Sequence, residues 1–267
     1  MQNLTRDYGF GKGIFDISFE VKEGEVFGFL GPNGAGKTTT IRHLMGFLKP
    51  TCGTCKIGEL DCWKQREQIQ NFLGYIPGEI NFFDDMEGIE FLKFVSKYRR
   101  VDCDAKMKDL IERFELNPRG KIKKMSKGMK QKIGIVAAFM HNPDSLILDE
   151  PTSGLDPLMQ KRFVELIEEE KKKKKTILLS SHIFEEVERT CDRVGIIREG
   201  KLVAVDFIEA LRNRHMHTYQ VNLETPELAQ QFAVDFDGVC DGTHVKVTAR
   251  QSLEHIFIHY YGGERND

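Results

Sequence analysis

The chain has 267 residues, with 39 Lys and Arg against 41 Asp and Glu, a net charge of −2. That balance gives no support to a nucleic-acid-binding surface, and 40% hydrophobic with 30% charged residues argues against disorder. No apolar run approaches the roughly 20 residues that span a bilayer, and residues 1–8 lack the basic-then-apolar order of a signal peptide, so a cytosolic chain of one or two domains is expected.

Along the chain, Ile17, Phe19 and Val21 alternate with polar residues, the period of a half-buried strand. Glu23-Gly24 turns into a nearly continuous apolar strand over 25–30, and a Gly-rich loop leads to a helix over 37–48. Further strands are expected at 55–57, 72–76, 146–148, 177–180 and 194–197, and Glu199-Gly200 reads as a hairpin turn into 201–205. Helices are expected at 62–70, 87–98, 104–115, 127–140, 158–173, 183–191 and 206–213. Short apolar strands alternating with helices imply an α/β chain whose mainly parallel sheet is covered on both faces. The early strands point to an antiparallel β subdomain, and 87–140, all helix, to a helical lobe. After residue 214 the composition changes. A strand near Tyr219, a helix over 226–234, a strand over 245–247 and a helix over 252–261 make 215–267 a small α+β appendage. Cys52, Cys55 and Cys62 lie close together, but no His or fourth Cys stands at zinc-site spacing, so reduced thiols are expected.

Gly31-Pro32-Asn33-Gly34-Ala35-Gly36-Lys37-Thr38 fits G-x-x-x-x-G-K-[ST] between an expected strand and an expected helix. Glycines let the backbone curl so that successive N–H groups form an anion nest, and the helix beginning at Lys37 adds its positive dipole end. Lys37 supplies a point charge for outer phosphates, and Thr38 a hard oxygen for Mg²⁺. The run Leu146-Ile147-Leu148-Asp149-Glu150 ends an apolar strand in two acids, at the sheet edge where α/β proteins bind ligands. Asp149 is suited to hold Mg²⁺, directly or through water, and Glu150 to polarise an attacking water. His182 follows the strand over 177–180. On physical grounds alone it is either structural or a contact to the γ-phosphate or the water.

Together with Met125-Ser126-Lys127-Gly128-Met129-Lys130-Gln131, these residues resemble the ATP-binding subunit of an ABC transporter, over about residues 3–214. The resemblance implies a P-loop NTPase fold of ABC ATPase type, ATP and Mg²⁺ as ligands, and exporter-type transport of an unspecified substrate. It assigns the signature to the Ser126 segment, the D-loop to Ser153-Gly154-Leu155-Asp156, the switch histidine to His182 and adenine stacking to Tyr8, with Phe10 as the aromatic alternative. Thr39, next in the helix, joins the nucleotide set. The family's fold also implies a second ATPase subunit packed head to tail, so that Ser126 and Gly128 reach the γ-phosphate held by the partner. Lys127 stands where a glycine is usual, Met129 where a glutamine is usual, and Gly78, followed by Glu79, at the Q-loop glutamine. Glu79 is the candidate to take over that glutamine's metal and water contacts. Phe82 and Phe83, flanked by Ile80 and Met86, are read as the seat of a short helix from a separately encoded membrane subunit. That subunit would hold the chain on the inner face of the membrane. A soluble ABC-type ATPase that remodels nucleic acid or ribosomes is the alternative, disfavoured by the single ATPase copy and the absence of a basic face. A P-loop kinase would not account for the signature, D-loop and His182 together.

Overall fold

The computed structural model describes residues 1–83, 85–214 and 216–250. In chain order the structure begins with β1 (Gln2–Asp7), β2 (Gly13–Ile17), β3 (Val26–Leu30), α1 (Lys37–Leu44), β4 (Cys52–Thr54), β5 (Lys56–Ile57), β6 (Leu60–Asp61), α2 (Arg66–Phe72) and β7 (Leu73–Ile76). Then follow α3 (Gly88–Arg99), α4 (Asp104–Arg113), α5 (Lys127–Phe139), β8 (Ser145–Asp149), α6 (Pro157–Lys172), β9 (Thr176–Ser181), α7 (Phe184–Thr190), β10 (Arg193–Arg198) and β11 (Lys201–Phe207).

The core is a six-stranded sheet in the order β11-β10-β3-β9-β8-β7. The pairings β10–β3, β3–β9, β9–β8 and β8–β7 are parallel. All five residues of β3 are buried, as a strand covered on both faces requires. The expected turn at Glu199-Gly200 is present, with φ of 48° and 74° at its two central residues. Two positive φ values give the primed turn whose twist suits a hairpin, so β11 runs antiparallel to β10. A separate antiparallel sheet orders as β2-β1-β4. Between 87 and 140 lie α3, α4 and α5, with α5 packed on α3, α4 and β7, but the stretch is not helix alone: 114–126 is a loop holding one short 3-10 turn at Ile122–Lys124.

Three expectations need correction. The strand read at 17–21 lies instead at β2, ending at Ile17. The alternation beyond it is real burial without pairing: the Phe19 ring stacks on Phe27 with centroids 5.1 Å apart. Its partner β1 is missing from the sequence reading because QNLTRD carries a single buried residue, Leu4. The helix read from residue 37 to 48 stops at Leu44, where Gly46 takes φ of 68° and Phe47 and Leu48 donate back to the Arg42 carbonyl. The helix read from residue 62 starts at Arg66 because the Asp61 carboxylate accepts from the backbone of Trp63 and Lys64, holding that stretch as a turn.

The chain divides by packing into Met1–Val205 and Asp206–Asp267. The boundary expected at 214/215 falls after α8 (Ile208–Arg214), whereas this division precedes it. The second unit also contains β12 (Met216–Asn222), α9 (Pro226–Asp235), β13 (Val239–Asp241) and β14 (His244–Arg250). Its sheet orders as β12-β14-β13, with α9 packed through the buried Ala229 and Ala233 near Val245. The helix expected over 252–261 lies outside the described residues.

Candidate nucleotide site

The loop 31–36 joins the buried strand β3 to α1, so its backbone N–H groups gather at the carboxyl edge of the core sheet. Gly36 caps α1 with φ of 112°, and a Cβ there would stand 2.8 Å from Ile14 Cγ2. Only glycine meets both conditions. No side chain caps the start of α1, which leaves its first N–H groups for an anion. Lys37 is buried, and its Nζ donates to the carbonyls of Gly31 (2.7 Å) and Pro32 (3.2 Å). The same Nζ lies 3.1 Å from Glu150 Oε1.

Asp149 ends β8 with no exposed surface. Ser180 Oγ, on the adjacent strand β9, donates to Asp149 Oδ1, while Oδ2 is buried and makes no hydrogen bond. Burial raises the Asp149 carboxyl, against the opposing pull of the Ser180 and Thr38 hydroxyls and of Lys37. A buried carboxylate oxygen without a donor, beside the Thr38 hydroxyl, fits a hard divalent cation such as Mg²⁺. The adjacent Glu150 takes φ of 46°, a conformation that costs a non-glycine residue about 1–2 kcal/mol. Its N–H donates to both the carbonyl (3.1 Å) and the hydroxyl (3.2 Å) of Ser180, which offsets that cost and turns the side chain out of the sheet. Glu150 Oε2 stands 3.5 Å from His182 Nδ1. The fold thus brings Lys37, Glu150 and His182 into one contact chain beside Asp149 and Thr38.

The signature segment is a second cluster. Ser126 caps α5 by accepting from Met129 N–H at 3.2 Å and is exposed. A Cβ on Gly128 would meet the Gly154 carbonyl at 2.7 Å, so only glycine lets α5 approach the D-loop. Lys127, at the position of a usual glycine, donates from Nζ to Ser153 Oγ at 2.8 Å and lays its stem against Gly154. Gln131 donates from its buried amide to the Pro151 carbonyl at 2.7 Å. The departure at Lys127 is therefore a strap between the signature and the D-loop of one chain. Asp156 caps α6, accepting from Met159 N–H at 3.0 Å. No hydrogen bond or ion pair among the described residues joins Ser126 or Gly128 to Lys37, Glu150 or His182.

Tyr8 is half exposed on the β1–β2 loop, with the Arg6 guanidinium 5.3 Å from its ring centre. Phe10, two residues on, is fully exposed. A Cβ on Gly78 would stand 3.1 Å from Asp149 Oδ2, so the chain passes the acid closely at that point, and Glu79 next to it is exposed. Pro32, Asn33, Gly34 and Thr38 are exposed along the loop, Ala35 is buried, and the Thr39 carbonyl lies 2.8 Å from His43 Nδ1. Ser180 was missed by the sequence reading. Its signal was a hydroxyl directly after the apolar run Ile177-Leu178-Leu179, on the strand that leads to His182.

The ABC transporter family profile matches residues 14–153. Over 216 residues the chain is 39% identical to the bacitracin transport ATP-binding protein BcrA of Bacillus licheniformis, covering 80% of this chain and 71% of that protein. Over 209 residues it is 37% identical to the linearmycin resistance ATP-binding protein LnrL of Bacillus subtilis (strain 168), covering 76% of this chain and 67% of that protein. A solved structure described as an ATP-binding subunit of an ABC transporter superposes with a TM-score of 0.77 at 28% identity, over 97% of this chain and 98% of that one. The chain belongs to the ABC transporter family, as an ATP-binding and ATP-hydrolysing subunit of α/β cassette fold.

Proposed function

We propose that two such subunits enclose ATP·Mg²⁺ between the phosphate loop of one and the signature of the other, and that closure and hydrolysis power export through a separate membrane subunit. The observation that carries the chemistry is the Glu150 carboxylate held between Lys37 Nζ at 3.1 Å and His182 Nδ1 at 3.5 Å. Residues 31–39 hold the triphosphate, and Tyr8 stacks on the adenine, an interaction worth about 1–3 kcal/mol. Thr38 and Asp149 hold Mg²⁺, with Glu79 as a further contact. Bound there, Mg²⁺ neutralises charge on the β- and γ-phosphates. Glu150 orients the water for in-line attack and takes its proton, while Lys37 and the loop amides stabilise charge on the phosphoryl group. His182 contacts the γ-phosphate from the same chain. Ser126 and Gly128 contact it from the partner, and Asp156 sets the D-loop at that interface. An intact γ-phosphate favours the closed pair because it alone contacts both subunits. Residues 1–214 carry this chemistry and 215–267 are accessory.

No helix among the described residues is long and apolar enough to cross a membrane. In this reading the spanning partner is a separate chain, and the ATPase works at the inner face of the membrane against it. Support for the docking seat comes from a ladder of rings on the helical lobe. Phe82 and Phe83 meet Phe91 of α3 at 4.9 and 6.5 Å, Phe83 meets Phe94 at 5.7 Å, and Phe94 meets Tyr98 at 6.2 Å. Phe83, Phe94 and Tyr98 are 58%, 44% and 78% exposed, an apolar stripe suited to a helix of the membrane subunit. Export is favoured by the roles named for the two bacterial relatives. The test is Phe83→Asp. Transport in cells that carry the membrane subunit is expected to be lost, with ATP hydrolysis by the isolated subunit within about twofold of the parent, since a charge in an apolar seat costs several kcal/mol only when it is covered. Transport at the parent rate would contradict the docking seat.

A further inference from the structure

A buried acid behind the catalytic contacts has no role in the chemistry above. Glu186, on α7, is only 5% exposed, and its Oε2 accepts from Ser181 Oγ at 2.6 Å and from Thr152 Oγ1 at 3.3 Å. Its Oε1 is buried with no hydrogen-bond partner. Ser181 immediately precedes His182, and its Oγ also accepts from Ile183 N–H at 3.0 Å, so the hydroxyl is bonded on both sides of the histidine's turn. Thr152 stands two residues after Glu150, in the turn where Ser153 N–H donates back to the Glu150 carbonyl. The Thr190 hydroxyl, one turn along α7, donates to the Glu186 carbonyl at 2.7 Å and fixes the helix that carries the acid.

A single carboxyl thus ties the loop after β8, which bears Glu150, to the loop after β9, which bears His182. We propose that Glu186 is a positioning residue for hydrolysis: by holding Ser181 and Thr152 it sets the spacing of His182 and Glu150 at the γ-phosphate. The inference rests on the catalytic reading of those two residues. Burial pushes the Glu186 carboxyl up to about 7, with the nearby Glu150 charge adding to the effect. An acid so costly to ionise is retained against its own solvation, which agrees with a role in geometry rather than in stability alone. Its carboxylate accepts from the Ser181 and Thr152 hydroxyls, so its influence passes through them.

The test compares Glu186→Ala, Glu186→Gln and Ser181→Ala in the purified full chain, reading kcat and KM for Mg·ATP beside the melting temperature. Glutamine keeps an oxygen that accepts both hydroxyls; alanine keeps none. Displacement of reacting groups by about 1 Å costs up to about 10²-fold, so Glu186→Ala is expected to lower kcat by about 10- to 100-fold with KM within about threefold. Glu186→Gln is expected to restore kcat to within about threefold of the parent. Parent-level kcat in the alanine variant, or a glutamine variant as slow as alanine, would overturn the proposal. Should Glu186→Ala fail to fold, Ser181→Ala carries the same criteria: a smaller loss of kcat at constant KM supports the tie, and none overturns it. Glu150→Gln, run alongside, judges the catalytic reading separately. If that variant still hydrolyses ATP, the reading fails. If it is inactive while Glu186→Ala turns over normally, only the positioning role fails.

Discussion

Glu150→Gln is expected to lower ATP turnover by about 10²- to 10⁴-fold while ATP remains bound, the range lost when a positioned general base is removed. The substitution is nearly isosteric, and the features that aim the side chain are in the backbone. Residue 150 keeps its φ of 46° and its N–H bonds to Ser180, so an amide there still points at Lys37 and His182. What disappears is the capacity to take a proton from the water. Lys37, the loop 31–36 and Asp149 are untouched, so the nucleotide stays anchored. The measurement is steady-state phosphate release set against binding of a fluorescent ATP analogue with Mg²⁺. Hydrolysis within a few-fold of the parent would remove Glu150 from the role of base.

Lys37→Ala is expected to act at the other step, weakening ATP binding by about 10²-fold or more. Truncating one member of a buried, hydrogen-bonded charge pair costs about 2–5 kcal/mol, and each 1.4 kcal/mol is a factor of ten. Lys37 Nζ is buried and already oriented by the Gly31 and Pro32 carbonyls at 2.7 and 3.2 Å, so little ordering is left to be lost on binding phosphate. Its removal also leaves Glu150 facing the phosphates without a cation, which adds repulsion. Calorimetric titration with Mg·ATP checks the result. Affinity within threefold of the parent would show that the loop amides alone hold the triphosphate.

Both substitutions fall at residues that the sequence itself singled out. The positions of the loop 31–38 and of the two acids at the end of β8 could be read because each pattern rests on residue types close together in the chain: glycine at a backbone that a Cβ would block, lysine and threonine at a helix start, carboxylates where a strand ends. The parallel core sheet was legible for the same reason, since strands buried on both faces are short apolar runs. The partners that hold those groups were not. Ser180 is 31 residues from Asp149, and Glu186 is 34 from Thr152. Such pairs exist only once β8 and β9 lie side by side. β1 escaped because Leu4 is its one buried residue, so no apolar alternation marks it. Lys127 read as a departure from the signature, and only the 2.8 Å bond to Ser153 Oγ shows what the longer side chain does. The exposed aromatic ladder was visible in part, at Phe82 and Phe83. Its continuation through Phe91, Phe94 and Tyr98 needed the periodicity of α3 together with the ring geometry.

In the proposed dimer one triphosphate is shared by two chains, with the loop of one and the exposed Ser126 segment of the other closing on it. The most direct measurement is the solution mass of the Glu150→Gln protein by light scattering, in ATP with Mg²⁺, in ADP with Mg²⁺, and in ATP with the metal chelated. A doubled mass is expected with ATP and Mg²⁺, and a single-chain mass in the other two conditions. A single-chain mass at saturating, demonstrably bound Mg·ATP would contradict the proposed dimer.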